Sequence, residues 1–427
     1  METRNYPQLK EQVFYQVLPN GLTVIIVPRP GFTKKLCYFA TDFGSIHTKF
    51  SIDGKIYTVP EGIAHYLEHK LFDMPGRDVS AEFAAMGASV NAFTSYDMTA
   101  YHFSCTENFP EALHLLLEFV ATPYFTEESV AKEQGIIGQE IGMNADAPDT
   151  QIFERLMRAM YGVHPIKEPI LGTVESIAKI TPESLTLCHR AFYRADNMVL
   201  CVVGDVDAQQ VAEIAMECVP PAPQETVVAD KAWQEDGKTL ESITKCSMEV
   251  AMPTFQLGFK CQPPERGAET VRQEIIGELA AEALFGEASP LYLRLYEKGL
   301  IDASFGGGFE TVDGLALFTA SGDSDHPEQV QDAISQEISR LTKEGIGEET
   351  LLRMKRSALG RRIRGLDSFD SVCFRMCAYH FSGYDYFRFP ALYQDVTEAE
   401  ILEFLRNWVT QERMSLSVIY PREEEMQ

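Results

Sequence analysis

Residues 181–203 read TPESLTLCHRAFYRADNMVLCVV, and they align without gaps with residues 397–419, TEAEILEFLRNWVTQERMSLSVI. Both segments begin with Thr and an acidic first turn, which is typical of a helix N-terminus. Both then have an aromatic residue at the same position and end with a Met that precedes a short apolar run, which predicts a strand. The chain therefore contains two copies of one helix-and-strand unit.

A second pair of segments supports the same repeat. Residues 125–142 and 346–363 each have an acidic start followed by a long helical pattern. Between the copies lies PAPQETVVADKAWQEDGKTLE, residues 221–241, which is proline-rich and then polar without a sustained period. We therefore predict an N-terminal domain over 1–220, a linker over 221–241 and a homologous C-terminal domain over 242–427.

The first half has a readable order of elements. The stretches LPNGLTVIIVPRP and KKLCYFATDFGS predict strands bounded by turns at Asn20-Gly21 and Phe43-Gly44. The β-branched and aromatic stretch 87–105 predicts a strand pair, and helices are predicted over 110–121 and 127–143. The predicted fold class is α+β, with each half a mostly antiparallel sheet flanked by helices.

Charge and composition narrow the classes of partner. The 427 residues include 37 basic and 63 acidic side chains, which gives a net charge of −26. Nucleic acid and anionic membranes both require basic surface, so neither is expected as a partner, whereas a basic peptide would be compatible with this charge. The N-terminus lacks a signal pattern, no apolar run approaches about 20 residues, and the nine cysteines are scattered, so we expect a cytoplasmic protein with reduced thiols.

The stretch EGIAHYLEHKLF, residues 61–72, contains two histidines and a glutamate in an otherwise apolar helical pattern. His65 and His69 are four residues apart, so on a helix they share one face and could bind one metal ion. Glu68 lies beside that face, where it could take a proton from a water molecule. This spacing is the inverted HxxEH zinc motif, and the alternative is a partly exposed helix with three polar residues.

A zinc site of this type needs a third protein ligand. Glu133 and Glu140 are seven residues apart on the second predicted helix, so they share one face and either could serve. Asp146 and Asp149 lie nearby in a loop-like stretch and are weaker candidates. The alternative interpretation of the paired glutamates is a solvated helix face.

Taken together, HYLEH, the stretch VNAFTSYDMTAY (90–101), the pair of glutamates and the doubled chain resemble the pitrilysin/insulinase family of zinc metallopeptidases. The resemblance is nearest to the short bacterial branch related to mitochondrial processing peptidase. It implies a Zn²⁺ ion held by His65, His69 and Glu140, with Glu68 as the general base. It also implies that Glu133 is an active-site carboxylate behind the metal.

The resemblance further implies where a substrate would bind. Family members bind an extended peptide as an added strand at a sheet edge, and the matching segment here is Asn91, Ala92, Phe93 and Thr94. Main-chain hydrogen bonds provide affinity in such β-augmentation with little demand on sequence. A plain core strand is the alternative.

The second half cannot repeat the metal site, because Leu279 and Ala283 align with the two histidines and Arg361 aligns with Glu140. The resemblance implies a substrate-binding Arg and a Tyr seven residues later. Arg294 matches the first, but Ile301 stands at the second position. We therefore expect a paralogous subunit without a zinc motif to form a heterodimer and supply this pair, with a homodimer using Arg294 as the alternative.

The predicted function is a zinc-dependent endopeptidase that hydrolyses peptides in a chamber between halves or subunits. The alternative is a non-catalytic assembly subunit of a peptidase-like complex. The intact set of His65, Glu68, His69 and Glu140 favours the enzyme, because a structural subunit does not require these residues.

Overall fold

The computed structural model describes residues 1–422. Its strands are β1 (Glu2–Tyr6), β2 (Glu11–Val17), β3 (Thr23–Pro28), β4 (Lys35–Thr41), β5 (Lys49–Ile52), β6 (Lys55–Thr58), β7 (Asp73–Met74), β8 (Arg77–Asp78), β9 (Ser89–Thr94), β10 (Thr99–Cys105), β11 (Met198–Gly204), β12 (Val227–Ala229), β13 (Ile243–Met248), β14 (Thr254–Cys261), β15 (Gly306–Val312), β16 (Leu315–Asp323) and β17 (Met414–Pro421).

The helices alternate with groups of these strands along the chain. They are α1 (Ile63–Leu71), α2 (Val79–Ala85), α3 (Phe109–Ala121), α4 (Glu127–Ala145), α5 (Pro148–Met160), α6 (Val174–Ile177), α7 (Pro182–Phe192), α8 (Ala208–Cys218), α9 (Ala268–Phe285), α10 (Pro290–Glu297), α11 (Pro327–Glu344), α12 (Glu348–Arg364), α13 (Phe369–Phe381), α14 (Phe389–Asp395) and α15 (Glu398–Trp408).

The chain divides into two units, and each takes segments from both sides of the predicted linker. The first unit contains residues 1–141, 169–231 and 363–388, and the second contains the remaining described residues. The linker itself contributes β12, which pairs with β5 in the first unit. The domain bounds given by the sequence stay a prediction.

The sheets of the two units repeat one strand order. The first unit has a seven-stranded sheet, β1-β2-β3-β11-β4-β10-β9, and the second has a five-stranded sheet, β13-β17-β14-β16-β15. The last five strands of the first sheet correspond one by one to the five of the second. In each sheet a single parallel pair, β3 with β11 or β13 with β17, accompanies antiparallel neighbours. The prediction of an α+β fold with two similar, mostly antiparallel halves is confirmed.

The aligned segments that predicted the repeat form equivalent elements. Thr181 and Thr397 are the N-caps of α7 and α15, and each side chain accepts a hydrogen bond from the third residue of its helix in a reciprocal capping box. Phe192 and Trp408 are the last residues of these helices, and β11 and β17 follow. These elements are determined locally, which is why the sequence predicts them well.

The start of α1 is fixed by a glycine and by burial. Gly62 has φ +85°, and a Cβ atom there would collide with the backbone carbonyl of Leu171. Only glycine accommodates both the left-handed conformation and the close approach. Beyond it, Ile63, Tyr66 and Leu67 are buried in the core of the first unit, so one side of α1 is anchored in the core.

Helix α4 is tied to α1 by a hydrogen bond and by packing. Thr126 and Ser129 cap its start reciprocally through side chain and backbone. The hydroxyl of Tyr66 on α1 donates to the backbone carbonyl of Val130, and Ile137 is fully buried in the same core. The two helices that carry the predicted ligands are therefore held against each other.

Candidate metal centre

Helix α1 presents its two histidines side by side. The ring centroids of His65 and His69 are 4.6 Å apart, as expected for residues four apart on a helix. His65 and Glu68 are 7% and 8% exposed, whereas the His69 side chain is 27% exposed. The three polar residues of the motif thus lie at the boundary between the core and an accessible surface.

Helix α4 presents both glutamates towards α1. Glu133, Ile137 and Glu140 are spaced at about one turn, and the buried Ile137 directs this face inward. Glu133 is the more enclosed, with 14% of its side chain exposed against 39% for Glu140. A shared face with unequal exposure allows the two carboxylates to have different roles.

Three donor atoms converge at one point. Oε2 of Glu140 lies 3.6 Å from Nε2 of His65 and 3.6 Å from Nε2 of His69. Together the three residues form a group whose candidate ligand atoms are all within 4.8 Å of one another. Glu133 is not part of this group, because its Oε1 lies 3.0 Å from Nδ1 on the other side of the His69 ring.

This arrangement fits a zinc ion. Ligands at about 2.0–2.1 Å from Zn²⁺ in tetrahedral geometry are about 3.3–3.4 Å apart, close to the separations found here. Two imidazoles and one carboxylate are a ligand set used in hydrolytic zinc sites, which keep the fourth position open. The exposed fractions of Glu140 and His69 leave that position accessible.

The two histidine rings are oriented in different ways. When Nδ1–H of His69 donates to Glu133, its Nε2 keeps a lone pair directed towards Glu140. In His65, Nδ1 is buried and makes no hydrogen bond with the described part of the chain. Glu133 therefore contacts the His69 ring on the side opposite to the three converging donor atoms.

Burial and neighbouring charges shift the proton affinities of the motif. Burial, and then the adjacent His69, lower the pKa of His65 to about 3, so this imidazole is neutral near pH 7. Burial raises the pKa of Glu68, against the hydrogen bond from Thr94, which lowers it. Burial alone would lower the pKa of His69, but the hydrogen bond to Glu133 and the charges of nearby carboxylates outweigh it and raise the pKa.

The edge strand β9 reaches the motif through one side chain. Oγ1 of Thr94, the last residue of β9, lies 2.6 Å from Oε2 of Glu68. Because side chains alternate along a strand, Ala92 shares the face of Thr94, while Asn91 and Phe93 point to the opposite face. Phe93 there packs against Phe374 of α13, with ring centroids 5.9 Å apart.

The predicted substrate segment lies at the free edge of the seven-stranded sheet. Strand β9 pairs with β10 and is the last strand in the sheet order. The backbone N–H of Ala92 donates to Oδ1 of Asn91 at 2.9 Å, which indicates that this N–H faces the open edge. A neighbouring side chain thus occupies a main-chain donor that an added strand would use.

The remaining predicted residues belong to the second unit. Asp146 and Asp149 lie outside the first unit, which holds the three donor atoms. Arg294 on α10 donates a hydrogen bond of 2.5 Å to the buried carboxylate of Glu337, which also accepts from Arg340. The structure thus brings together His65, Glu68, His69, Glu133, Glu140 and Thr94 in the first unit.

The residues of this site lie in a segment that matches a known family model. Residues 54–174 match the model described as insulinase (peptidase family M16), and residues 179–358 match the peptidase M16 inactive domain. The uncharacterized zinc protease YmfH of Bacillus subtilis (strain 168) is 35% identical over 424 residues, which cover 98% of each chain. The chain belongs to the insulinase, or M16, family of peptidases.

Solved structures agree with this M16 assignment. A putative M16-like peptidase from Alicyclobacillus acidocaldarius has a TM-score of 0.92 and 32% identity, covering 96% of this chain and 98% of its own. A protease from Helicobacter pylori has a TM-score of 0.82 at 18% identity, covering 96% of this chain and all of its own. The second likeness concerns the fold alone. The predicted family and its two-domain α+β fold are both confirmed.

The names of the M16 relatives bear on the metal, and the helices of this chain bear on the membrane. Several curated relatives are named zinc proteases, which makes zinc the metal associated with this family. In the described part of the chain, every helix is too short or too polar to cross a membrane.

Two contacts around the M16 motif were missed by the sequence analysis. The hydroxyl of Thr94 reaches Glu68, although Thr94 was predicted only as part of the substrate strand. The hydroxyl of Tyr66 joins α1 to α4. Strand alternation gives a weak signal for Thr94, because it predicts which residues of β9 share a face, but it does not identify what that face contacts.

Proposed function

We propose that this M16 protein is a zinc-dependent endopeptidase that cleaves peptides bound as an added strand beside β9. The observation that carries the proposal is the convergence of His65 Nε2, His69 Nε2 and Glu140 Oε2, with Glu68 next to them on α1. A structural role would not require two imidazoles and a carboxylate to direct lone pairs at one point.

Each residue of this cluster has a separate task in the proposed reaction. His65, His69 and Glu140 would hold Zn²⁺, and Glu133 would keep the His69 ring in the tautomer that leaves Nε2 free. When bound, zinc would lower the pKa of a water molecule and polarise the carbonyl of the scissile bond. Glu68 would take a proton from the attacking water and pass it to the leaving amine.

The substrate would be held mainly through its backbone. Strand β9 is at a sheet edge, so its outward N–H and C=O groups could pair with an added strand. A bound peptide would displace the side chain of Asn91 from the N–H of Ala92. Because the contacts are main-chain hydrogen bonds, we expect broad tolerance of substrate sequence.

A partner subunit is part of the proposal. Arg294 is hydrogen-bonded to Glu337, and Ile301 stands where the family pattern has Tyr, so this chain lacks one of the two expected donors. Losing one donor to a developing oxyanion typically costs about a hundredfold or more in rate. We propose that a paralogous subunit without a zinc motif supplies the Arg/Tyr pair, with a homodimer that uses Arg294 as the alternative.

The test combines metal content with peptide hydrolysis. We expect about one zinc ion per chain in the wild type, its loss in His65→Ala, and retention of zinc without hydrolysis in Glu68→Gln. Glu282→Gln is the matched control, because Glu282 aligns with Glu68 in the second half, and it should keep both zinc and activity.

Adding the paralogue tests the partner. Full hydrolysis by the purified chain alone would exclude the requirement for a second type of subunit. Zinc binding with hydrolysis only after the paralogue is added would support it. A folded chain that binds no zinc would contradict the peptidase and favour the non-catalytic subunit.

A further inference from the structure

The shortest polar contact of Glu68 comes from the sheet, not from its own helix. Oγ1 of Thr94 is 2.6 Å from Oε2 of Glu68, a distance typical of a hydroxyl that donates to a carboxylate. Thr94 ends an edge strand, and Glu68 lies on a buried helix, so the bond connects two elements distant in sequence.

The proton of the Thr94 hydroxyl has a clear acceptor. A second hydroxyl, that of Thr99, has its Oγ1 3.4 Å away. Thr99 Oγ1 donates its own proton to the backbone carbonyl of Phe43 at 2.8 Å. The carboxyl oxygen of Glu68 is closer, at 2.6 Å, and the hydroxyl of Thr94 donates to it.

We infer that Thr94 is a positioning residue for Glu68: its hydroxyl holds Oε2 and thereby leaves Oε1 as the oxygen that takes a proton from water. This inference rests on the proposed function, because it gives Glu68 the role of general base. Thr94 contacts the base through its side chain, and only its backbone would contact the peptide. The resemblance assigned it solely to the substrate strand.

Glu68 would need such a positioning residue because a glutamate side chain is flexible. Glu has three side-chain torsions, and the last of them rotates the carboxylate freely unless a partner fixes it. A proton acceptor works within hydrogen-bond distance of the proton, and a misplacement of about 1 Å can cost about a hundredfold in rate. One hydroxyl at the end of a hydrogen-bonded strand restricts that rotation.

The kinetic test uses Thr94→Val and Thr94→Ser. Val has nearly the shape of Thr without the hydroxyl, so we expect kcat to fall roughly 10- to 100-fold with KM and zinc content unchanged. Ser restores the hydroxyl and should recover most of kcat. Thr58→Val, at an exposed position of β6, is the matched control and should behave as the wild type.

Three kinetic results would overturn the inference. An unchanged kcat in Thr94→Val would mean that the hydroxyl does not matter for Glu68. A rise in KM with kcat unchanged would mean that the hydroxyl contacts substrate. A loss that Ser fails to restore would indicate a general disturbance of β9.

Crystal structures provide a readout that does not depend on activity. In Thr94→Val we expect the Glu68 carboxylate to leave its position, and in Thr94→Ser to keep it. An unmoved carboxylate in Thr94→Val would also overturn the inference. If the zinc-loaded wild type hydrolyses no peptide, the proposed function fails, while these structures still show whether Thr94 positions Glu68.

Discussion

In the second unit, Nη2 of Arg361 lies 2.8 Å from Oε2 of Glu282. These two residues align with Glu140 and Glu68 of the first half, and their helices α12 and α9 follow the same order as α4 and α1. The second copy therefore has an ion pair where the first has a candidate metal ligand and a candidate base. Arg361 stands where the first half has the carboxylate of Glu140, so the second half lacks that candidate ligand. The same arginine forms an ion pair with the remaining carboxylate, that of Glu282.

We expect Arg361→Ala to lower the free energy of unfolding by less than about 1 kcal/mol, because an ion pair at this exposure is screened by solvent. The Arg361 side chain is 45% exposed and that of Glu282 is 26% exposed. Zinc content should not change, since Leu279 and Ala283 replace the histidines. Urea unfolding and metal analysis check this beside Arg353→Ala, an exposed control on α12.

The features predicted correctly are those determined over one or two helical turns. The helix predicted over 110–121 is Phe109–Ala121, and the one predicted over 127–143 is Glu127–Ala145. The spacing in HYLEH places His65 and His69 together because an α-helix has only one geometry for residues four apart. Local periodicity carries this information directly.

The features that the sequence could not provide depend on contacts between distant residues. From spacing alone, Glu133 and Glu140 are equivalent candidates for the third ligand. The packing of α4 against α1 distinguishes them, because it places Glu133 at Nδ1 of His69 and Glu140 near the Nε2 atoms of both histidines. Residues 363–388 join the first unit although they follow the linker, because they pack on its sheet. No local pattern encodes such tertiary choices.

Glu133→Gln is expected to weaken zinc binding roughly 10- to 100-fold, as is typical when a residue that orients a ligand is changed. The amide accepts the hydrogen bond from Nδ1 of His69 less strongly than a carboxylate does. Competition with a chromophoric chelator measures the affinity, with Glu127→Gln, in the exposed first turn of α4, as the control.

Glu140→Gln should have a larger effect, because it changes a proposed ligand directly. A stronger loss of zinc in Glu133→Gln than in Glu140→Gln would contradict the roles assigned here and would make Glu133 the third ligand.

Ala92→Pro should impair peptide binding while zinc binding remains. Proline removes the N–H of Ala92, which faces the open edge and is occupied by Asn91. The pairing of β9 with β10 should persist, since that N–H points away from β10. We expect KM to rise roughly tenfold or more, the cost of about one or two lost hydrogen bonds.

Asn91→Ala is the informative counterpart, because it frees the same N–H without removing it. Its KM should stay the same or fall. If KM rises equally in both variants, the side chain of Asn91 binds substrate and the open edge of β9 is not the binding surface.

We expect His189 on α7 to make the stability of the first unit depend on pH. Its Nε2–H donates to the carbonyl of Val120 at 2.9 Å, and its ring stacks on Tyr193 at 4.9 Å. Burial lowers its pKa from 6.5 to about 4, against a smaller raising effect of the bond to Val120. Between these two values the unfolded chain takes up a proton at this residue and the folded chain does not.

The stabilising effect of the neutral His189 is therefore fully present above pH 6.5 and is lost as the pH falls towards 4. The shift corresponds to about 3 kcal/mol of unfolding free energy across that range. His189→Gln keeps an N–H donor but does not titrate, so the wild type should lose about this much more stability than the variant between pH 7 and pH 4. Urea titrations at several pH values measure the difference, and His114→Gln, at an exposed position of α3, controls for the substitution itself.

Parallel pH profiles for wild type and His189→Gln would contradict this prediction. They would mean that His189 becomes protonated in the folded protein, which requires an opening of the contact between α7 and the end of α3.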